Sequence, residues 1–289
     1  MNGILIINKP KCYTSHDVVN ILRKELNTKK VGHTGTLDPN ATGVLPILVG
    51  QATKISKYLI EHDKTYIAEL KLGEKSSTGD TEGEIIERKD IPAITIEKVE
   101  AVLKSFLGKQ LQTPPIYSSI KINGKKAYEY ARNGETVDIP PREIEIMSIC
   151  LKSFEKDIIT FEVECSKGTY IRVLCEDIAK KLGTVGLMRN LTRTRVDEFK
   201  IEKSYTLEQV KNKEEISLIG IEEAFKTKNN INLDDRKTKL FLNGVQLTFD
   251  KQDDIYRVYN RNKFLGLGTV KNNLLKRDVI IIDNLNNNV

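Results

Sequence analysis

The segment GHTGTLDPNATGVL, residues 32–45, holds a single carboxylate, Asp38, among glycines and threonines. No other Asp or Glu lies between Glu25 and Glu61, although the chain has 40 acidic residues. Glycines let the backbone approach a substrate, and Pro39 restricts the chain beside the carboxylate. Two interpretations remain open here: a turn aspartate, or a nucleophile or base on a rigid loop. The lack of acidic neighbours predicts that like charge does not raise the pKa of Asp38.

Hydrophobic periodicity on both sides of this segment predicts the secondary structure that flanks it. An apolar run at residues 3–8 indicates a buried strand, and residues 15–27 have helical spacing. Residues 44–49 form a second apolar strand. The loop that carries Asp38 is therefore expected to lie between a helix and a strand.

The rest of the chain mixes the two periodicities. Predicted strands cover residues 65–72, 142–154, 158–165 and 188–196, and predicted helices cover residues 53–61, 97–107 and 171–182. The face expected to be buried in the first of these strands carries Tyr66, Ala68, Leu70 and Leu72. Because no regular βαβ succession emerges, we predict an α+β fold with a large mixed, mostly antiparallel sheet flanked by helices.

The C-terminal part differs in character. Residues 211–235 are polar and acidic, which is typical of a seam between domains. From Arg236 onward we predict short strands and turns, with ten Lys and Arg against five Asp and Glu. The expected division is a catalytic domain at 1–230 and a small β-rich, RNA-binding module at 231–289, whose Asn-rich end is expected to fray.

The composition narrows the function classes. The net charge is +6, from 46 Lys and Arg against 40 Asp and Glu, so the distribution of charge matters more than its size. Four cysteines without a CxxC pair and only three histidines argue against a zinc site, and no metal or cofactor is predicted. Cys150 and Cys165 are expected to be buried. We found neither a signal peptide nor a membrane span, and predict a cytoplasmic protein without membrane association.

Three further stretches carry candidate chemistry. Tyr170 and Arg172 lie two residues apart in KGTYIRVL, where a strand leads into a helix. Tyr66 in DKTYIAEL could be a core ring or could stack on a nucleobase. His33 could be a locally hydrogen-bonded loop residue or a contact to phosphate or base. Taken singly, each of these residues also has an ordinary structural explanation.

Residues 113–134 form a basic hairpin candidate. The Asn123-Gly124 dipeptide is a strong signal for a two-residue hairpin turn. Four cations surround it against Glu129 alone: Lys121, Lys125, Lys126 and Arg132. Such a hairpin suits a mobile clamp on nucleic-acid phosphates.

Together these segments resemble the TruB-type tRNA pseudouridine synthases of bacteria. GHTGTLDPNATGVL matches the family's GHTGTLDPxAxGVL signature, and NKP at 8–10, KTY at 64–66 and KGTYIR at 167–172 also match. The hairpin PPIYSSIKINGKKAYEYAR fits PPxYSAxKxxGxxAYxxAR, with Ser119 for the usual Ala. The resemblance covers residues 3–245.

The stretch LTRTRVDEF departs from the family's LRRTRxGxF. Thr192 and Asp197 stand where Arg and Gly are usual, which is expected to soften a phosphate contact there. The C-terminal residues are similar to the reduced PUA-type module of bacterial members, although their own motifs are weak. The resemblance thus implies the pseudouridine synthase fold with a PUA-like module.

The resemblance implies isomerisation of uridine to pseudouridine at position 55 in the T-loop of tRNA, without metal or cofactor. Asp38 is implied to be the nucleophile, attacking C1′ or the base, or else assisting a glycal-type elimination. Arg172 is implied to pair with Asp38, and Tyr66 to stack on the flipped base and to take part in proton transfer. The residues implied to hold the base or to fill the vacated stack are Tyr170, Leu191 and His33.

The expected partner is the T-arm of tRNA. No obligatory protein partner is expected, and the family default is a monomer. Contacts to the RNA backbone are predicted for Lys9, Lys64, Lys121, Lys125, Lys126, Arg132, Arg193 and Arg195.

Three alternatives remain at this stage. A tRNA-binding or RNA-folding chaperone would use the same basic surface without chemistry. A uridine isomerase of the guide-RNA type would act with partner proteins. A hydrolase using Asp38 would release free uracil.

Overall fold

A computed structural model describes residues 1–60 and 62–281. Its strands are β1 Gly3–Lys9, β2 Val31–His33, β3 Thr42–Val49, β4 Lys64–Leu72, β5 Glu74–Ser76, β6 Ile85–Arg88, β7 Gly108–Gln112, β8 Lys121–Ile122, β9 Lys125–Lys126, β10 Arg142–Glu155, β11 Ile158–Cys165, β12 Gly186–Val196, β13 Phe199–Lys200, β14 Asn230–Asn232, β15 Leu247–Thr248, β16 Asp254–Asn260, β17 Lys263–Lys271 and β18 Leu274–Ile280. The Asn-rich end lies at residues 282–289, outside the described part of the chain.

The helices are α1 Ser15–Glu25, α2 Ser56–Leu59, α3 Ile96–Lys104, α4 Ala127–Arg132, α5 Ile171–Leu182, α6 Leu207–Lys211 and α7 Asp235–Leu242. Short 3₁₀ helices occupy Gly50–Ile55, Ile201–Lys203 and Glu223–Phe225. Thr14 caps α1 in a capping box with Asp17, which satisfies main-chain donors at the start of the helix.

The larger sheet confirms the predicted α+β class. Within the described residues it contains nine strands in the order β1-β3-β12-β4-β11-β10-β7, with β2 and β13 paired at its side. All of its pairs are antiparallel except β3 with β12. Tyr66, Ala68, Leu70 and Leu72 are buried on one face of β4, as their alternation predicts.

The parallel contact between β3 and β12 explains one glycine of the quoted segment. Gly43 has φ +104°, and a Cβ there would lie 2.2 Å from the carbonyl oxygen of Arg193. Only glycine fits this approach. The contact brings the loop that follows β2 against β12, and so fixes where Asp38 lies relative to the middle of the sheet.

Three local predictions were wrong. The helix expected at 53–61 is a 3₁₀ turn followed by the short helix α2. Cys150 is exposed whereas Cys165 is buried, because a bulge between Ile146 and Ser148 changes which face of β10 is covered. Residues from 235 to 242 form helix α7 rather than strands and turns.

Helix α7 has a physical explanation that composition obscured. Asp234 caps it by accepting a hydrogen bond from the main-chain nitrogen of Lys237. Phe241, a residue of the helix itself, is fully buried. The strands that follow form a second sheet with β14, in the order β14-β16-β17-β18-β15. This half-barrel is the predicted PUA-like module. It packs on the larger sheet through a shared apolar cluster that includes Ile4, Val44, Leu267 and Val279.

Candidate active site

A small pocket lies where the loop after β2, strands β4 and β12 and the start of α5 converge. Its volume is about 110 Å³. Its lining residues are Thr36, Leu37, Asp38, Tyr66, Thr169, Tyr170, Ile171, Arg172, Met188 and Leu191. The structure therefore brings together five of the predicted site residues, from four separate parts of the chain.

The loop that carries Asp38 is anchored on both sides of the carboxylate. Ser15, at the start of α1, accepts a hydrogen bond at Oγ from the Leu37 nitrogen at 2.9 Å. The amino group of Lys9 donates to the carbonyl of Pro39 at 2.9 Å. The nitrogen of Ala41 donates to the Asp38 carbonyl at 3.1 Å. Such anchoring holds the side chain in one position without using its oxygens.

Arg172 is the ion-pair partner of Asp38. Its Nε lies 3.1 Å from Asp38 Oδ2, and the arginine side chain is almost fully buried. Its two terminal nitrogens donate to the carbonyls of Thr78 at 3.0 Å and Tyr117 at 2.9 Å. The guanidinium thus has fixed partners at every nitrogen, and it orients Asp38 while the other carboxylate oxygen stays available to the pocket.

A second carboxylate shares this arginine, and sequence reasoning missed it. Asp80 Oδ2 lies 3.7 Å from Arg172 Nε, and Asp80 is buried. Its Oδ1 accepts from Thr78 Oγ1 at 2.5 Å and from the Glu82 nitrogen at 3.0 Å. Asp80 stands in SSTGDTEG, which composition marks only as a polar turn. The signal available in the sequence was an aspartate between two glycines in a polar turn.

Asp80 also overturns one electrostatic expectation. Burial raises the pKa of Asp38, Arg172 opposes that shift, and Asp80 adds to it by like charge. The prediction that like charge does not raise the pKa of Asp38 was wrong, because it considered acidic neighbours in sequence rather than in space. The Asp38 side chain keeps 38% of its surface exposed, so water and substrate can reach it.

Two tyrosines and a leucine form the walls of the pocket. Tyr66 on β4 pairs across the sheet with Arg193 on β12, and burial raises the pKa of its hydroxyl. Tyr170 precedes α5, and its main chain is held by the side chain of Gln112. Leu191 on β12 is buried beside them. Flat rings and an apolar side chain around a carboxylate suit a planar polar ligand.

His33 is the predicted base-contacting residue that lies apart. It ends β2, is half-buried, and does not line the small pocket. Burial and the nearby Arg193 lower the pKa of its imidazole, which favours the neutral form.

Three predicted phosphate contacts need correction. Lys9 is fully buried, and its amino group donates to the carbonyls of Pro10, Tyr13 and Pro39. Arg193 is 2% exposed and donates to the carbonyls of Val44 and Gly35.

Lys64 is buried as well, and its amino group donates to the carbonyls of Ile60 and His62. Lys9, Lys64 and Arg193 therefore donate their side-chain hydrogen bonds to main-chain carbonyl oxygens. Sequence reasoning counted their charge correctly, but it could not show that the charge faces inward.

The hairpin residues agree more closely with the prediction. Residues 121–126 form β8, the Asn123-Gly124 turn and β9, with positive φ at both turn residues as a type I′ turn requires. Lys121 and Arg132 are exposed, and Arg132 stacks on the Tyr128 ring.

The other predicted backbone contacts already have partners. Lys125 lies over the Tyr130 ring and pairs with Glu135 at 3.2 Å. Lys126 lies over the Tyr128 ring. Arg195 pairs with Glu164 at 2.6 Å, so it would have to exchange a partner in order to bind RNA.

The two departures in LTRTRVDEF have local explanations. Thr192 Oγ1 lies 2.9 Å from Thr42 Oγ1, so a short polar contact joins β12 and β3 at that position. Asp197 has φ +50° in the turn between β12 and β13, a conformation that aspartate tolerates better than most residues. His62 Nδ1 lies 2.6 Å from Asp197 Oδ2.

A wider cleft joins the small pocket to the hairpin. Its volume is about 790 Å³. Its wall includes Asp38, Tyr66, Tyr170, Arg172 and Asp80 together with Tyr117, Tyr128, Arg132, Arg142 and Lys167. Arg132, Arg142 and Lys167 are exposed in this wall whereas Asp80 is buried, an arrangement suited to a polyanion that inserts one group.

The described residues contain no group of three or more His, Cys, Asp or Glu side chains placed to hold a metal ion. In the same portion of the chain, no helix is long and apolar enough to cross a membrane.

The amino-acid sequence matches two family models in succession. Residues 23–171 match the N-terminal domain of TruB family pseudouridylate synthases, and residues 172–223 match the C-terminal domain of tRNA pseudouridylate synthase B. The chain belongs to the TruB family. These matches confirm the resemblance to the TruB family that the sequence motifs indicated.

Curated relatives in this family agree over most of their length. A tRNA pseudouridine synthase B of Caldanaerobacter subterraneus is 43% identical over 276 residues, covering 94% of this chain and 96% of the relative. One of Clostridium acetobutylicum is 45% identical over 279 residues, covering 93% and 96%. The match at this coverage makes the chain a TruB-family enzyme throughout.

Solved structures support the fold. A structure titled as an H/ACA RNP bound to a substrate RNA containing 2′-deoxyuridine aligns with TM-score 0.71 at 22% identity, covering 97% of this chain and 85% of that one. A Cbf5-Nop10-Gar1 complex aligns with TM-score 0.69 at 24% identity, covering 98% and 84%. These matches confirm the pseudouridine synthase fold of the TruB-family chain.

Proposed function

We propose that this TruB-family enzyme converts uridine to pseudouridine at position 55 in the T-loop of tRNA, with Asp38 as the nucleophile. The observation that carries the proposal is the small pocket in which the Asp38 carboxylate, held by Arg172, faces Tyr66, Tyr170 and Leu191. The curated relatives, named tRNA pseudouridine synthase B, support the substrate class.

The reaction is an isomerisation. The N1–C1′ bond breaks, the uracil turns while it is held, and C5 bonds to C1′. The proton lost from C5 is balanced by the proton gained at N1, so the nucleoside keeps its formula. Asp38 acts as an anion, either by attack at C1′, by attack on the base, or by assisting a glycal-type elimination. Arg172 keeps it charged against the burial that raises its pKa.

The uridine must leave its stack to reach Asp38. Extrusion of a base costs a few kcal/mol, which contacts in the pocket offset. We propose that Tyr66 stacks on the extruded base, that Tyr170 and Leu191 hold its edge, and that His33 contacts the RNA near the vacated position. The planar tyrosine faces give stacking without demanding a particular base.

The proposed recognition surface surrounds the cleft. The hairpin at 113–134 is the clamp on the T-arm, with Lys121 and Arg132 exposed and Lys125 and Lys126 half-buried. We further propose a functional division into a catalytic part at 1–230 and an RNA-binding module at 231–289. In this proposal the enzyme works as a monomer in the cytoplasm without a protein partner.

A T-loop minihelix incubated with the purified protein tests the proposal. We expect pseudouridine at position 55, found by chemical mapping, with unchanged RNA mass. Free uracil in the supernatant would instead indicate a hydrolase, and binding without modification would indicate a chaperone. A requirement for an added guide RNA would indicate the guide-dependent class.

Asp38→Asn is the decisive variant, because it keeps the shape of the side chain and removes its charge. We expect no detectable product, with RNA binding retained. Asp90→Asn is the matched control, since Asp90 is exposed and lies outside the cleft. Product formed by pure Asp38→Asn protein would overturn the assignment of the nucleophile.

A further inference from the structure

Gln112 connects the hairpin to the pocket. It is the last residue of β7, immediately before the hairpin segment, and its side chain is buried. Its Oε1 accepts a hydrogen bond from the Tyr170 nitrogen at 2.8 Å, and its Nε2 donates to the Tyr170 carbonyl at 3.1 Å. One planar amide therefore binds both main-chain groups of a residue 58 positions away.

Tyr170 needs such a partner because of its place in the chain. It follows a turn in which Gly168 has φ +79°, and it precedes α5 without a side-chain cap of its own. Its nitrogen precedes the helix and is not part of the helical hydrogen-bond ladder. Since the amide of Gln112 has its donor and acceptor at a fixed spacing, it sets the orientation of the Tyr170 main chain and so the direction in which the ring leaves it.

The neighbours of Gln112 along the chain contact the same site. The Tyr117 carbonyl accepts from Arg172 Nη2 at 2.9 Å. Burial raises the pKa of the Tyr170 hydroxyl, and the buried Ser118 beside it opposes that shift. The segment 112–118 thus holds the main chain of one pocket residue and the side chain of another, and all but its first residue belong to the hairpin segment 113–134.

We propose that Gln112 is a positioning residue for the isomerisation: it holds Tyr170 in the wall of the pocket, at the root of the RNA-binding hairpin. The proposal rests on the function proposed above. Gln112 does not line the pocket, so it acts through Tyr170. Its removal should slow the chemical step while the basic surface that binds RNA remains intact.

Gln112→Glu is the most selective variant. It keeps the size of the side chain and the acceptor for the Tyr170 nitrogen, but it places a second oxygen against the Tyr170 carbonyl. Arg142 lies opposite Gln112 in the β7–β10 ladder and favours an ionised carboxylate there, so the repulsion persists. Gln112→Met removes both hydrogen bonds at similar volume and serves as the second variant.

Gln110→Glu is the matched control. Gln110 lies two positions earlier on β7, donates to the Phe106 carbonyl at 2.7 Å, and lies outside the pocket. It receives the same change in charge on the same strand. We expect its single-turnover rate with excess enzyme to equal that of the wild type.

For Gln112→Glu and Gln112→Met we expect the single-turnover rate at saturating enzyme to fall about tenfold or more. RNA affinity, measured in an Asp38→Asn background, should stay within about twofold of the parent. A wild-type rate in both variants would overturn the proposal. So would a loss confined to RNA affinity, because Gln112 would then act on binding alone.

A double-mutant cycle with Tyr170→Ala separates positioning from general support of the fold. If Gln112 acts through Tyr170, Gln112→Glu adds no further loss once the ring is gone. If the rate losses of the two single variants instead multiply in the double variant, Gln112 acts by another route, and the proposal is contradicted. Absence of pseudouridine with the wild-type protein is a different result, which would refute the proposed function itself.

Discussion

Arg172 is the residue on which the electrostatics of the site depend. It touches two carboxylates, Asp38 and Asp80, and carries a single positive charge. Each carboxylate therefore competes for the arginine and repels the other. The balance leaves the pKa of Asp38 raised, although an arginine lies within ion-pair distance.

Asp80→Asn tests this balance. Removal of the like charge lowers the pKa of Asp38, so the nucleophile stays ionised to lower pH and the acid limb of the kcat/KM profile moves to lower pH. At the same time Arg172 loses a partner, and we expect kcat to fall about tenfold because the guanidinium is less firmly placed.

The measurement is a pH–rate profile on the minihelix, with Asp90→Asn as control. An acid limb that moves to higher pH, or does not move, would contradict the role given to Asp80.

Lys9 makes a residue-scale prediction about stability. Burial lowers the pKa of its amino group from its ordinary value of 10.5 to about 8. Between these two values the unfolded chain binds more protons than the folded one, so the free energy of unfolding rises with pH across that window. The full rise amounts to about 3–4 kcal/mol.

Urea unfolding of wild type and Lys9→Met between about pH 8 and pH 10 measures this contribution. Lys64 has a similarly lowered pKa and is common to both proteins, so the difference between the two curves belongs to Lys9. We expect a steeper rise in the wild type. Parallel curves would show that the carbonyls around Lys9 keep it charged in both states.

At this scale the resemblance predicted a contact between two family motifs and missed the contact that a residue outside those motifs makes. The resemblance implied the Asp38–Arg172 pair, and the structure has it. Asp80 was missed because its loop meets Arg172 only in the folded chain. The inward direction of Lys9 and Arg193 was also hidden, since composition records a charge but not the carbonyls it binds.

The hairpin is the element whose prediction depended least on tertiary structure. Asn-Gly sets both φ values of its turn, and this local chemistry sufficed to locate β8 and β9. Local sequence patterns gave wrong predictions where tertiary packing determines the burial or the secondary structure of a segment. The bulge in β10 exposes Cys150, and α7 forms because Phe241 has a core to enter.

Charge neutralisation in the hairpin should change RNA binding in a graded way. Replacing Lys125 and Lys126 by Gln should weaken binding and flatten the slope of log Kd against log salt by about two charges' worth. Glu135→Gln should do the reverse, because Lys125 now pairs with Glu135 and would be released toward phosphate.

Filter binding of the minihelix over a range of salt concentrations measures both effects. Lys152→Gln is the control, since Lys152 lies on β10 and outside the cleft. Equal slopes for wild type and the double variant would place the RNA away from the hairpin.

For the whole molecule, the two sheets share one apolar cluster. Ile4 and Val44 come from the larger sheet, and Leu267 and Val279 from the C-terminal one. No periodicity within either part of the sequence could reveal that contact, because each strand looks the same whether it faces its own sheet or the other. The contact nevertheless predicts that the chain unfolds as a unit rather than in two steps.

Leu267→Ala tests that coupling. Leu267 is fully buried in the shared cluster, so its truncation should lower the free energy of unfolding by about 2–5 kcal/mol. The loss should appear equally in amide-exchange protection of β1 and of β17, because the cavity lies between the sheets. Leu274→Ala is the matched control, since Leu274 is 40% exposed. Loss of protection in the C-terminal sheet alone, with β1 unchanged, would show that the two sheets unfold separately, and it would contradict the prediction.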